Sequence, residues 1–181
     1  MKKIIILTSF YLTLFSYTHS VHAETVCYDV EGEVKTTNIL PEGYPAIPST
    51  QQEGIIELSL TDKGTGEEVL LEGHLSGTII GFDEVTGAVL LSHTITSNDS
   101  SVPFTFVTFN DNATVVGGLT GCSLPIEETI TEIVAGAGFT ENVESVNMLV
   151  KGTINVINQG GCSGVQNIFE DISGEICLIQ E

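Results

Sequence analysis

The sequence predicts an all-β chain: an up-and-down antiparallel barrel, with a β-sandwich as the alternative. Apolar residues recur with a period of two along most of the chain, as in strands with one buried face. No clean helical stripe of ten or more residues interrupts that pattern. The connections are mostly of hairpin length and rich in Gly, Asn and Asp, which favours a meander over the long jumps of a Greek key.

The first residues have the pattern of an export signal. Met1, Lys2 and Lys3 form a short positive start, residues 4–15 an apolar run, and Val21-His22-Ala23 a small-residue cleavage site. The run is shorter than the roughly 20 residues of a spanning helix. Residues 1–23 are therefore expected to be removed, leaving a single β domain over residues 24–181 in the periplasm or outside the cell. No later stretch predicts membrane insertion.

In that portion, Val26, Tyr28 and Val30 alternate with Cys27, Asp29 and Glu31, giving a first strand. Residues 39–52 hold three of the five prolines and read as a loop. Ile56, Leu58 and Leu60 define the inner face of a second strand, and residues 62–66 a turn. A long third strand runs over residues 68–82, where Gly73, Gly77 and Gly81 suggest bends or bulges. Val89, Leu91, His93 and Ile95 share one face of a fourth. Residues 103–109 form a fifth, and Asn110-Asp111-Asn112 turns it towards a short partner over residues 114–119.

Residues 124–134 read as one strand with Leu124, Ile126, Ile130 and Val134 on one side. A glycine-rich crossing over residues 135–138 separates it from a returning strand carrying Met148, Val150, Ile154 and Val156. The last strand carries Ile168, Ile172, Ile176 and Leu178. The total is eight or nine strands.

Four cysteines in an exported chain imply two disulfides. Cys27 and Cys177 both fall on the outward parity of the first and last strands, where a bridge would staple a closing barrel. Antiparallel pairing of the strands flanking the glycine stretch brings Glu132 near Met148 and Cys122 near Asn158. The second bridge is thus expected to be Cys122–Cys162.

Composition narrows the function. Once residues 1–23 are removed, three lysines and no arginine remain against all 24 acidic residues, a formal net charge of −21. Nucleic acid is excluded as a partner because phosphate neutralisation needs Lys and Arg. No calcium-loop pattern, nucleotide-binding glycine motif or hydrolase elbow is present, so no cofactor is expected. With only His74 and His93 retained, neither is a His-rich metal site. Nothing fixes the oligomeric state.

The segment EIVAGAGFTENVESVNMLVKGTIN, followed by GEICL, resembles bacterial exported proteins with an allene oxide cyclase-like barrel domain. Plant dirigent proteins share that barrel class. Ala135-Gly136-Ala137-Gly138-Phe139 stands where the group has Gly-Gly-Thr-Gly-x-Phe, with the first Gly and the Thr replaced and the Phe one place early. Residues 91–95 (LSHTI) resemble its Asp-His-Thr-Ile segment, and residues 75–79 (LSGTI) an early strand. The resemblance implies an eight-stranded barrel and says little about activity, because such barrels serve cyclases and coupling-guiding proteins alike.

Parity points four polar side chains inward: His93, Glu128, Glu132 and Glu170. Buried carboxylates and an imidazole have shifted pKa values and suit acid–base work or ligand capture. Three functions follow as expectations: a module binding a small neutral or apolar molecule, a structural or adhesive surface protein, and a cyclase or isomerase using Glu132 or His93.

Overall fold

A computed structural model describes residues 23–39, 51–98, 101–155 and 166–180. The export signal expected in residues 1–23 lies almost wholly outside these, as does most of the proline-rich loop. The strands are β1 (Glu24–Ile39), β2 (Gln51–Asp62), β3 (Glu68–Phe82), β4 (Val89–Ser97), β5 (Phe104–Thr108), β6 (Asp111–Val115), β7 (Ser123–Ile130), β8 (Ile133–Gly138), β9 (Val143–Asn155) and β10 (Gln166–Gln180). The described residues contain no helix.

These strands close into a ring. β3, β2, β1, β10, β9, β7, β6 and β4 follow one another as antiparallel neighbours, and β4 pairs back onto β3. The ring is the eight-stranded up-and-down barrel expected from the sequence, and the sandwich is not needed. The two surplus strands belong to it. β5 and β6 are halves of one bent strand: Thr94 of β4 faces Val107, while Leu91 faces Asp111, one residue out of step. β7 and β8 run alongside them in the same way, with Asn112 opposite Thr129 and Phe106 opposite Gly136.

The bend is matched across the pair. Thr108 and Asp111 are both buried, whereas Phe109 and Asn110 between them are exposed. Opposite them, Ile130 and Ile133 pack on the core, whereas Thr131 and Glu132 are exposed. Asn110 absorbs the kink with a left-handed φ of 58°, a conformation Asn tolerates better than most residues. Each strand thus places two successive residues outside, and its parity changes there. That is why Val134, expected inside, is 50% exposed.

The glycine stretch is not a crossing. Residues 135–138 lie in β8 and pair with β5, and the turn follows at residues 139–142. Gly138 takes φ 64°, and a Cβ there would sit 2.1 Å from the Pro103 carbonyl oxygen. Phe139 then reaches the core and meets Tyr28 edge to face, with ring centroids 5.7 Å apart.

Inside the ring, Val30, Leu60, Leu71 and Ile95 are almost fully buried. Burial of each such side chain contributes about 1.5–3 kcal/mol. The outer face carries Glu31, Lys35, Glu53, Glu57, Glu72 and His74, all exposed. The last strand departs from the expected parity once. A register shift between Ile168 and Asp171 turns Asn167 and Phe169 inward in place of Ile168.

The seam pairs β1 with β10 from Glu24↔Gln180 to Thr37↔Gln166, with one shift near Gly32. Cys27 stands directly opposite Cys177, and the two are bonded as expected. The β7–β9 register is Ile130↔Met148 and Ser123↔Asn155, two residues from the expected one. Cys122 is also disulfide-bonded. Cys162, the partner assigned to it, lies outside the described residues.

The Cys27–Cys177 bridge closes a loop with a sequence separation of 150. Removing it with the double substitution Cys27→Ala, Cys177→Ala should cost roughly 2–5 kcal/mol. Urea unfolding followed by tyrosine fluorescence measures the loss. A variant as stable as the wild type would show that backbone pairing alone holds the seam.

Candidate functional site

Among the described residues the buried polar side chains, Thr140 apart, form one belt across an apolar interior. It begins on β4, where the alternation of Val89, Leu91, His93 and Ile95 turns the His93 ring inward, 4% exposed. Gly77 lies opposite His93 on β3, and Gln52 lies opposite Gly77 on β2. The missing side chain is what lets the two meet. A Cβ at Gly77 would stand 2.7 Å from His93 Cδ2 and 2.8 Å from Gln52 Cγ. Across that gap the Gln52 amide nitrogen approaches His93 Nε2 at 3.3 Å.

On the other side His93 Nδ1 is 2.9 Å from Asp111 Oδ2 and 3.4 Å from Glu128 Oε1. A carboxylate cannot donate, so Nδ1 carries the hydrogen and donates to Asp111; Nε2 then accepts from the Gln52 amide. Thr108 completes the corner. Its hydroxyl accepts from the His93 backbone N–H at 3.0 Å and donates to Asp111 Oδ2.

The belt continues from Gln52. Its Oε1 accepts from the Thr36 hydroxyl at 2.7 Å, and Thr36 Oγ1 accepts from Asn167 Nδ2 at 3.1 Å. Asn167 also donates to Asn38 and accepts from the Asn155 backbone N–H. With Gly77 as the gap on β3, the belt touches every strand of the ring.

Of the side chains expected inside, His93 and Glu128 are there. Glu132 and Glu170 are not, and this corrects the sequence reading. Glu132 is exposed in the matched kink, where two successive residues face out. Glu170 is exposed at the β10 register shift, which places Glu170 and Asp171 outside together. The sequence reading missed Asp111, Gln52, Thr36, Thr108 and Asn167. Asp111 was hidden in an Asn-Asp-Asn run that reads as a turn. Its shared parity with Ala113, also buried, was the available signal.

The acid cluster is electrostatically loaded. Burial raises the Glu128 pKa and nearby Asp111 raises it further, against the opposing pull of His93. For His93, burial is the largest influence and acts downward. The charge of Glu128 and the hydrogen bond and charge of Asp111 outweigh it, and the pKa is raised. Asp111 Oδ1 and Glu128 Oε1 are buried without a hydrogen bond. Each such atom costs about 1–3 kcal/mol.

Beside the cluster is a cavity of about 30 Å³, lined by Gln52, His93, Glu128 and apolar side chains that include Ile56, Phe106 and Met148. That is room for about two waters. Chemically, the wall offers a carboxyl that retains its proton well above the usual carboxylate range and an imidazole oriented by Asp111. Together they can donate, accept or relay a proton to a guest in the cavity.

Gly77→Ala should break the Gln52–His93 contact, since its Cβ overlaps both side chains, and should destabilise the barrel by about 1–3 kcal/mol. Chemical denaturation measures the loss, and the His93 ring signals in NMR should move. Unchanged ring signals would show that the gap does not set the imidazole position.

Stability should also depend on pH. Both groups hold protons more tightly folded than unfolded. The Glu128 contribution is complete below its ordinary 4.5 and lost as pH rises through its folded value. The His93 contribution is complete below 6.5 and lost likewise above it. Melting temperature should therefore fall from pH 5 towards pH 9, and Glu128→Gln should flatten that slope. Equal slopes in the two proteins would show that surface charge alone sets it.

No family model matches the chain, no characterised protein matches its sequence, and no solved structure matches its fold.

Proposed function

We propose that the chain is an exported barrel protein that binds a small, largely apolar molecule. The guest's single polar group meets His93 and Glu128. The observation that carries this reading is an apolar chamber with one wall of buried, converging polar groups, Gln52, His93 and Glu128, where Glu128 Oε1 lacks a hydrogen-bond partner. Small barrels are either filled by side chains or hold one small ligand. A chamber of about 30 Å³ bounds the guest to a few heavy atoms, or requires side chains such as Met148 to move aside.

Export is supported by the Cys27–Cys177 bridge and by the signal pattern of residues 1–23. The apolar interior and acidic exterior are the reverse of a lipid-facing barrel, which argues against insertion as a membrane β-barrel. The resemblance to allene oxide cyclase-like barrels agrees with the architecture. The same imidazole and carboxyl would suit a cyclase or isomerase acting on such a guest.

A second reading, a structural or surface protein, is favoured by the small size of the chamber.

A panel of alcohols, ketones and amides of three to six carbons separates the two. At 100-fold over Kd, a guest stabilises by about 2.7 kcal/mol, which thermal shift detects. The tightest members should perturb the Met148 methyl in NMR, and Glu128→Gln should change their ranking. A panel in which no member shifts the melting temperature or that methyl overturns the binding reading in favour of the structural one.

A further inference from the structure

We propose that His93, Asp111 and Glu128 form a binding site for one divalent first-row transition-metal ion, with an open coordination position facing the chamber. The three side chains come from β4, β6 and β7, which are consecutive neighbours in the ring, and all three are buried. One imidazole nitrogen and two carboxylate oxygens lie within 4.8 Å of one another. Nδ1 is 2.9 Å from the Asp111 oxygen and 3.4 Å from the Glu128 oxygen. Donors held about 2.0–2.2 Å from one ion stand about 3–3.5 Å apart in tetrahedral or octahedral order. Both spacings from Nδ1 match this order, and the two carboxylate oxygens lie within 4.8 Å of each other.

The second observation is the pair of orphaned oxygens. Asp111 Oδ1 and Glu128 Oε1 are buried and unpartnered, and Glu128 Oε1 is aimed at the imidazole. A dication between Nδ1, Asp111 Oδ2 and Glu128 Oε1 supplies the missing partner of the Glu128 oxygen and balances the two carboxylates in one step. Surrounding groups already fix the ligands. Thr108 holds Asp111, and Gln52 faces the far ring nitrogen of His93. When Nδ1 binds the ion its proton leaves and Nε2 carries the hydrogen, so Gln52 turns its amide to present Oε1, and Thr36 Oγ1 exchanges donating to that oxygen for accepting from the amide N–H. The adjoining chamber has space for the water that completes the coordination. An N/O donor set of this kind suits Zn²⁺, Co²⁺, Mn²⁺ or Fe²⁺.

This site is independent of whether the chamber also takes an organic guest, and its readouts are separate. The full protein, stripped with chelator, is titrated with Zn²⁺ in a calorimeter and with Co²⁺ in a spectrophotometer. One ion per chain is expected, with release of protons and a Co²⁺ visible band stronger than that of the aqueous ion. Glu128→Gln and Asp111→Asn should each weaken binding at least tenfold. The double substitution Glu132→Gln, Glu170→Gln, on the exposed surface, should leave it unchanged. Equal weakening by the surface pair, or weak binding of many ions, would overturn the site in favour of the acidic exterior. If a buried variant fails to fold, a His74→Gln protein decides. Its one imidazole in the described residues is then His93, and Co²⁺ should shift that ring's NMR signals. Unshifted signals overturn the proposal.

Discussion

A β-sheet with free edges leaves a row of backbone donors and acceptors without partners, and this chain removes the problem by closing on itself. The β1–β10 seam makes the closure, with the first strand lying antiparallel along the last. Once the ring is shut, every strand shares one interior. Period-two alternation then sorts the residues: Val, Ile, Leu and Phe inward, Glu, Thr and Ser outward. The chamber is what remains after those inward side chains have packed. Its size is set by ring geometry and residue volume together.

Within that interior the polar belt has a different role from the apolar residues. Hydrophobic burial tolerates sliding, because one Ile packs much like another two residues along. Buried amides and carboxyls do not tolerate it. A two-residue slip of β2 against β3 would separate Gln52 from the gap at Gly77 and leave His93 Nε2 without its partner. The belt therefore contributes to specificity of register as well as to chemistry, and its unpartnered oxygens keep that specificity from being free of cost.

How much of this was legible follows from what is local. Strand positions depend on a residue and its near neighbours, so alternation located every ring strand but β6, where a turn was expected at residues 110–112 and the strand runs over Asp111–Val115. The outward parity of Cys27 and Cys177 located the seam. His93 and Glu128 were found because no kink separates them from the apolar residues that define their faces. Glu132 and Glu170 were misplaced because each sits at a bulge, and a bulge depends on how two strands pair. Asp111 was missed for the same reason in reverse: the kink at Phe109 and Asn110 returns it to the interior from a run that looks like an exposed turn. Gln52 stood at the end of a proline-rich loop. Its role comes from a glycine 25 residues later, and nothing in its own neighbourhood reports that.

The seam has a further meaning for the order of events in the life of the chain. β1 finds its second partner only when β10 arrives, with almost the whole sequence between them. Contacts that distant make folding slow, because loop closure must come before the reward. A chain emerging from the ribosome, N-terminus first, can zip its hairpins but cannot shut the ring until β10 is out. Until then it remains an open ribbon with two sticky edges. That state is the one most exposed to aggregation. Oxidation of Cys27 with Cys177 then makes the final pairing hard to reverse, so the staple acts as a latch on a late event.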